Sequence, residues 1–381
     1  MERFQLRTEI LIGGDAFGTM LRERKRVFIV TDKFMHESGR VSYLTDRLAP
    51  DAQHRIFSDV TPDPDIDTVT AGVSQIVEFQ PDVVVALGGG SPIDAAKAIV
   101  FFAAKQFQME NCPFVAIPTT SGTGSEVSKF SVITDRSKGV KYPLIDESLL
   151  PDYAVLDAEL TRSVPPGVTA DTGMDVLTHA IEAYVCTEAN DFTDALAEKA
   201  VRLVHQHLLT AYANPDDLTA RQAMHNASCL AGAAFSNAGL GLCHSMAHAM
   251  GAQAHIPHGR ANAILLPYVM SYNAGCESAL TPTAERYAAL AAQLGLGTSS
   301  IRQSALNLIH LVRRMESRMK MPMSIREAGL SESDFEAMLD NMTEAALADR
   351  CMGTTPVPCT ADAVRALYRQ AYYKTGRYRS L

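Results

Sequence analysis

The sequence predicts a two-part protein, an α/β N-terminal domain built on a parallel sheet followed by an all-helical C-terminal domain. Three observations carry this. Short apolar runs alternate with amphipathic helical stretches through the first part of the 381-residue chain, the pattern of βαβ units. Two of those runs end directly in loops rich in glycine and hydroxyl side chains. Beyond Thr161-Arg-Ser-Val-Pro-Pro-Gly167 the double proline breaks regular structure and strand-like runs give way to helical ones. The expected division is therefore 1–164 and 165–381.

The first residues, Met1 to Glu9, read as an edge strand, and Val27-Phe-Ile-Val-Thr31 as a buried strand closed by Asp32. A strand near Arg55-Ile-Phe57 precedes a proline-rich turn. Asp65 to Phe79 then places Ile66, Val69, Val73, Ile76 and Val77 on one helical face. Asp82-Val-Val-Val-Ala-Leu87 is apolar without alternation, as expected of a strand covered on both sides. Phe114-Val-Ala-Ile117 is another such run. In the second half, helices are expected at Asp191–His207, Thr219–Ser236, Ala284–Leu294, Ile301–Met315 and Asp334–Ala348.

The turn after Leu87 has a specific physics. Gly88, Gly89 and Gly90 allow close backbone approach, Ser91 suits an N-cap, Pro92 the first helical position and Asp94 the third. A helix N-terminus behind a glycine turn is a site for phosphate. The loop Thr119-Thr120-Ser121-Gly-Thr-Gly-Ser125 offers hydroxyls and further backbone donors to the same ligand. This is not the Gly-x-Gly-x-x-Gly fingerprint. Asp32, at the end of an earlier strand, could accept hydrogen bonds from a ribose and repel a 2′-phosphate, which favours NAD over NADP.

The helical half holds the most concentrated chemistry. Gly239 to Gly259 carries four of the eleven histidines. His244 and His248 stand one helical turn apart on one face, and His258, between Pro257 and Gly259, reads as a turn residue. Upstream, Asp175 and His179 are again one turn apart. A single such pair is ordinarily a local hydrogen bond. Two pairs and a further histidine make an N/O set for a divalent metal such as iron or zinc, provided the helices meet.

Composition narrows the alternatives. A formal net charge of −9 with no basic stripe excludes a nucleic-acid footprint. The basic, aromatic segment from Tyr368 to Arg379 reads as a helix end or subunit contact. No apolar run reaches the ~20 residues that a membrane helix needs. The seven cysteines are scattered, with no Cys-x-x-Cys pair, which suits reduced thiols in a cytosol. Cys243, beside His244, is expected to fill core rather than bind metal.

Together, Gly88 to Lys97, Pro118 to Glu126, Gly173 to His179 and the Gly239 to Gly259 block resemble the iron-containing (group III) alcohol dehydrogenases over nearly the whole chain. The resemblance implies a Rossmann-like NAD(H) domain facing an all-helical domain that holds Fe²⁺, or sometimes Zn²⁺, in the cleft. It assigns the metal to Asp175, His179, His244 and His258, and places His248 by the nicotinamide and substrate without ligating. Because imidazole titrates near working pH, His248 is the candidate catalytic residue for relaying the proton. The resemblance assigns the cofactor to Asp32, Gly88, Gly89, Gly90, Ser91, Asp94, Thr119, Thr120, Ser125 and Lys141, the last of which spacing does not single out.

Within the family, Lys141-Tyr-Pro-Leu, Asp191 to Lys199 and Met224 to Ser228 most resemble propanol dehydrogenases of propanediol-utilisation microcompartments. That implies a small aldehyde or alcohol substrate, a homodimer, a cytoplasmic location and microcompartment proteins as partners. Lactaldehyde reductases and ethanol dehydrogenases are the near alternatives. A dehydroquinate-synthase-like lyase would want several cations near the ligands, where the sequence offers Arg260. A non-catalytic shell protein would have no use for the ligand set.

Overall fold

The computed structural model describes residues 3–107, 112–137 and 140–375, without the side chains of residues 16, 140 and 141. The chain divides into two compact units: Gln5–Val164, and Pro165 onward joined by Arg3 and Phe4.

The first unit runs β1 (Glu9–Ile12), α1 (Gly14–Arg22), β2 (Arg26–Asp32), α2 (Lys33–Glu37), α3 (Ser42–Thr45), β3 (Gln53–Val60), α4 (Ile66–Phe79), β4 (Val83–Gly88), α5 (Gly90–Phe107), β5 (Phe114–Pro118), β6 (Phe130–Asp135), β7 (Val140–Ile145) and β8 (Tyr153–Leu156). Six strands form a parallel sheet in the order β1-β8-β5-β4-β2-β3, and β6 pairs with β7 in an antiparallel hairpin. Every residue of β4 is buried, because apolar layers cover both sheet faces. One layer brings Val69 and Ile76 of α4 and Ile93 and Ile99 of α5 onto Phe28 and Val84. The other brings Phe17 and Leu21 of α1 and Leu44 of α3 onto Val27 and Val85. At about 25 cal/mol per Å² of apolar surface removed from water, these layers supply most of the unit's stability.

The strand order fixes where a ligand can sit. From β2 the chain steps outward to β3 and then returns to the other side of β2 as β4. This reversal is a topological switch point, outside whose carboxyl ends open α/β sheets bind ligands. The register sets Thr31 beside Leu87 and Gly88 beside Pro118. Asp32, the glycine turn and the Thr119 loop therefore leave adjacent strands at the same sheet edge.

Two sequence expectations are corrected. The edge strand begins only at Glu9; Phe4 stacks on Phe192, ring centroids 5.4 Å apart, which draws the preceding residues into the helical unit. Helix α5 starts at Gly90, with Ile93 N–H donating to the Gly89 carbonyl, so Ser91 lies inside the first turn instead of capping it. The glycine permits this early start. Helix α4 is capped at Asp65, whose carboxylate accepts from Thr68 N–H at 2.8 Å.

The second unit consists, among the described residues, of α6 (Pro166–Val185), α7 (Asp191–Ala213), α8 (Leu218–Ala238), α9 (Leu242–Ala254), α10 (His258–Ala274), α11 (Pro282–Gln293), α12 (Ile301–Arg318), α13 (Glu332–Ala348) and α14 (Ala361–Tyr373), with a short 3₁₀ helix at Arg350–Thr354. Each helix expected from the sequence is present, most extended by a few residues. The central element is α6, buried without interruption from Gly173 to Val185 and packed against α7, α8 and α10. Helix α14 ends at Tyr373, and the Gly376 to Arg379 part of the basic tail lies outside the described residues. All seven cysteines are free, and Cys243 is fully buried. No helix among the described residues is long and apolar enough to cross a membrane.

Gly88 has φ +155°, and a Cβ there would fall 2.5 Å from Pro92 Cγ. Gly88→Ala is therefore expected to destabilise the chain by about 1–3 kcal/mol, read as a lowered midpoint in denaturant unfolding. An unchanged midpoint would refute this account of the turn.

Candidate metal centre

Asp175 and His179 lie one turn apart on α6, His244 lies in the first turn of α9, and His258 opens α10. His258 is thus the first helical residue, not a turn residue, with Pro257 as its cap. One donor atom from each of the four lies within 4.8 Å of all the others. His258 Nε2 stands 3.4 Å and His244 Nε2 3.9 Å from Asp175 Oδ1. Asp175, His179 and His244 are buried, while the His258 side chain is 41% exposed and leaves one open side. The His179 ring is held between His244 and Phe235, stacked at 4.6 Å on each.

The approach of α10 to α6 depends on Gly259. A Cβ at this position would lie 2.2 Å from the Asp171 carbonyl oxygen and 3.2 Å from Asp175 Cβ. Only a glycine lets the start of α10 press against α6 closely enough to bring His258 onto Asp175.

Ring orientation is set by one carboxylate. Glu182, three residues beyond His179 on α6, accepts from His244 Nδ1 at 2.6 Å. The same carboxylate accepts from the backbone N–H groups of Gly241 at 3.2 Å, Cys243 at 2.7 Å and His244 at 3.2 Å, and so closes the N-terminus of α9. Burial pushes Glu182 up to about 7, against the pull of those backbone donors. With Nδ1–H donated to Glu182, His244 keeps a lone pair on Nε2, aimed at Asp175. Burial and the neighbouring His179 and His258 hold His244 well below the ordinary histidine range, hence neutral. Asp175 is held low as well. Burial would raise it, but His179, His258, His244 and the Asn262 amide outweigh that and keep it ionised.

The donor chemistry fits a metal ion. Three imidazoles and a carboxylate form a borderline N/O set suited to Fe²⁺ or Zn²⁺. The Asn262 amide nitrogen lies 2.7 Å from Asp175 Oδ1, 3.1 Å from His244 Nε2 and 3.2 Å from His258 Nε2. Three acceptors thus face one positively polarised group, as acceptors arranged around a cation would.

His248 follows His244 by one turn on α9, its ring stacked at 5.2 Å on His258 and its side chain 43% exposed. It lies beside the four converging residues and is not among them.

In the sheet unit, a Cβ on Gly90 would fall 2.8 Å from Thr123 Cγ2 and one on Gly89 3.3 Å from Thr120 Oγ1. The glycine turn and the following loop are therefore in close contact. Ser125 Oγ donates to Asp94 Oδ1 at 2.6 Å, and Asp94 Oδ2 accepts from Val132 N–H. Lys97, buried beneath them, donates to the carbonyls of Ser128 at 2.7 Å and Phe130 at 2.8 Å. Asp94 and Ser125 thus brace the loop, while Thr119 and Thr120 follow the end of β5 and Ser91 lies in the first turn of α5. Asp32 Oδ1 caps α2 by accepting from Met35 N–H. Lys141 has its backbone in β7, but its side chain lies outside the described part of the chain.

The family model for iron-containing alcohol dehydrogenase matches residues 8–158, and that for the C-terminal region of the Fe-containing alcohol dehydrogenase family matches residues 169–372. The chain belongs to the iron-containing alcohol dehydrogenases. It is 47% identical to 1-propanol dehydrogenase PduQ of Salmonella typhimurium, over 97% of this chain and the whole of that protein. An NADPH-dependent butanol dehydrogenase of Clostridium saccharobutylicum is 41% identical over 98% of this chain and 99% of its own. Among solved structures, the iron-containing alcohol dehydrogenase of Thermococcus thioreducens aligns with a TM-score of 0.88 and 32% identity, covering 98% of this chain and all of that one. The sulfoacetaldehyde reductase of Bifidobacterium kashiwanohense in complex with NAD⁺ aligns with a TM-score of 0.83 and 29% identity, covering 97% and 98%.

In this iron-containing alcohol dehydrogenase, sequence spacing did not reveal Glu182, Asn262 or Gly259. Glu182 lies three residues after His179 and Asn262 four after His258, so helical periodicity offered both as facing residues, but nothing indicated their partners. Arg260, the cation noted beside the ligands, forks onto Asp171 at 2.9 and 3.2 Å.

Glu182→Ala should lower metal affinity about tenfold to a hundredfold, as loss of an outer-shell partner commonly does. It should also destabilise the apoprotein by about 3 kcal/mol, since buried donors are left unpaired. Metal titration and denaturant unfolding read the two effects, and unchanged affinity would sink the orienting role. Gly259→Ala should lower metal content without removing any donor atom, a result checked by elemental analysis.

Proposed function

We propose that the protein reduces a short-chain aldehyde, propionaldehyde to 1-propanol, reversibly and with NADH. The observation that carries the reading is the enclosed convergence of Asp175, His179, His244 and His258. The propanol dehydrogenase named above, similar over the whole chain, supports the choice of substrate. The relative bound to NAD⁺ supports the choice of cofactor.

The four residues hold Fe²⁺, with Zn²⁺ as the competing ion. When bound, the metal supplies Lewis acidity to the carbonyl oxygen, and the nicotinamide supplies hydride to the carbonyl carbon. The protein's own part is binding, orientation and the proton. The glycine turn and the Thr119 and Thr120 loop offer donors to the pyrophosphate, with Asp94, Ser125 and Lys141 in support. Asp32 accepts from the ribose hydroxyls and repels a 2′-phosphate. The open side at His258 admits the aldehyde. His248 hands a proton from Nε2 to the product oxygen and takes it back in the reverse direction.

Lactaldehyde and acetaldehyde are the competing substrates. A lyase acting on a phosphorylated sugar acid is disfavoured, because Arg260 is already engaged by Asp171. The reading extends to a cytoplasmic homodimer associated with microcompartment proteins, as the family resemblance implies.

Metal-loaded protein assayed anaerobically should oxidise NADH with short aldehydes, fastest with propionaldehyde, and His258→Ala should lose both bound metal and turnover. Turnover that survives chelation together with this substitution would remove the metal mechanism. Asp32→Ser should raise the NADPH to NADH ratio of kcat/KM about tenfold, equivalent to roughly 1.4 kcal/mol. A ratio that stays put would remove the ribose role.

A further inference from the structure

We propose that Asp349 is a positioning residue for proton transfer, fixing the tautomer and ring plane of His248 so that Nε2 faces the substrate. The inference rests on the reading that His248 carries the proton.

Asp349 Oδ2 accepts from His248 Nδ1 at 2.9 Å, although the two residues stand 101 positions apart in the chain. The carboxylate is itself immobilised. Asp349 is the N-cap of the 3₁₀ helix Arg350–Thr354, where Oδ1 accepts from Cys351 N–H at 2.8 Å, and Ser245 Oγ of α9 donates to the same oxygen at 3.3 Å. Capping needs one acceptor oxygen, which serine or asparagine provides equally well. The second oxygen of an aspartate is surplus to that task, and it is the one that meets His248.

An imidazole with 43% of its side chain exposed would otherwise turn freely and exchange its ring proton between the two nitrogens. Donation of Nδ1–H to a fixed carboxylate removes both freedoms. The stack of His248 on His258, interplanar angle 17°, fixes its ring from the other side.

A cation site is the rival explanation, since His248, Asp349 and Cys351 also offer donor atoms within 4.8 Å of one another. The hydrogen bonding argues against it: both carboxylate oxygens of Asp349 are already engaged, Oδ1 by Cys351 N–H and Ser245 Oγ and Oδ2 by His248 Nδ1.

The test uses the metal-loaded enzyme with Asp349→Asn, Asp349→Glu, His248→Ala and the double variant His248→Ala with Asp349→Asn. Asparagine keeps the cap, so the fold survives, but its amide can present N–H to Nδ1 and select the wrong tautomer. Asp349→Asn should lower kcat about tenfold to a hundredfold, with metal content and the KM values for aldehyde and NADH unchanged. Asp349→Glu should recover part of the loss, and the double variant should match His248→Ala alone, because the two residues act as one unit. Full kcat in Asp349→Asn alongside a slow His248→Ala would overturn this proposal and leave the role of His248 intact. Wild-type kcat in His248→Ala would instead remove the reading on which it rests. Losses that add in the double variant, metal lost from Asp349→Asn, or stoichiometric Zn²⁺ binding that Cys351→Ser abolishes would each overturn it too.

Discussion

The helical unit depends on one carboxylate meeting one helix end. Glu182 projects from α6 into the N-terminus of α9, taking three backbone N–H groups and the His244 ring nitrogen together. A helix N-terminus is electropositive and carries unpaired donors, so a buried carboxylate is stable there where elsewhere it would be costly. The same contact that lets α9 begin against α6 also determines which nitrogen of His244 is available to a metal. Folding and ligand geometry are therefore not separable in this region.

The second constraint is steric. Helix α6 is buried along most of its length and carries both Asp175 and His179, so the other two candidate ligands, His244 and His258, must come to it. Gly259 removes the one side chain that would hold α10 away, while Gly173, whose Cβ would lie 2.2 Å from Leu208 Cδ1, does the same for α7 on another side. Glycines at these two contacts thus set how closely α10 and α7 approach α6. Electrostatics then follows from burial. The buried His244 imidazole is held well below the ordinary histidine range, and the Asp175 carboxylate is held low by the three neighbouring histidines and by the Asn262 amide.

The sheet unit solves a different problem by different means. Its candidate cofactor-binding residues lie at or just beyond strand ends, where the backbone leaves a fully paired core and has donors to spare. Lys97 and Asp94, set behind the glycine turn, tie the succeeding loop and the β6 strand to α5. The glycine turn can then remain free of side chains while its surroundings stay rigid.

Much of this was legible in the residues themselves. The unbroken apolar run at Val83–Leu87 fixed a doubly covered strand, the one-turn spacings of Asp175 with His179 and of His244 with His248 placed each pair on one helical face, and glycine ahead of Ser91-Pro92 marked a helix start. These are local properties, set by backbone sterics, periodicity and burial within a few residues. The tertiary structure decided what periodicity cannot encode: that α6, α9 and α10 converge, that Glu182 and Asn262 meet the ring nitrogens of His244 and His258, that His258 opens a helix, and that Asp349 reaches His248 across 101 residues. Each of these is a contact between segments far apart in the chain, and its existence depends on which faces pack together, a matter settled by the whole core rather than by any stretch of sequence.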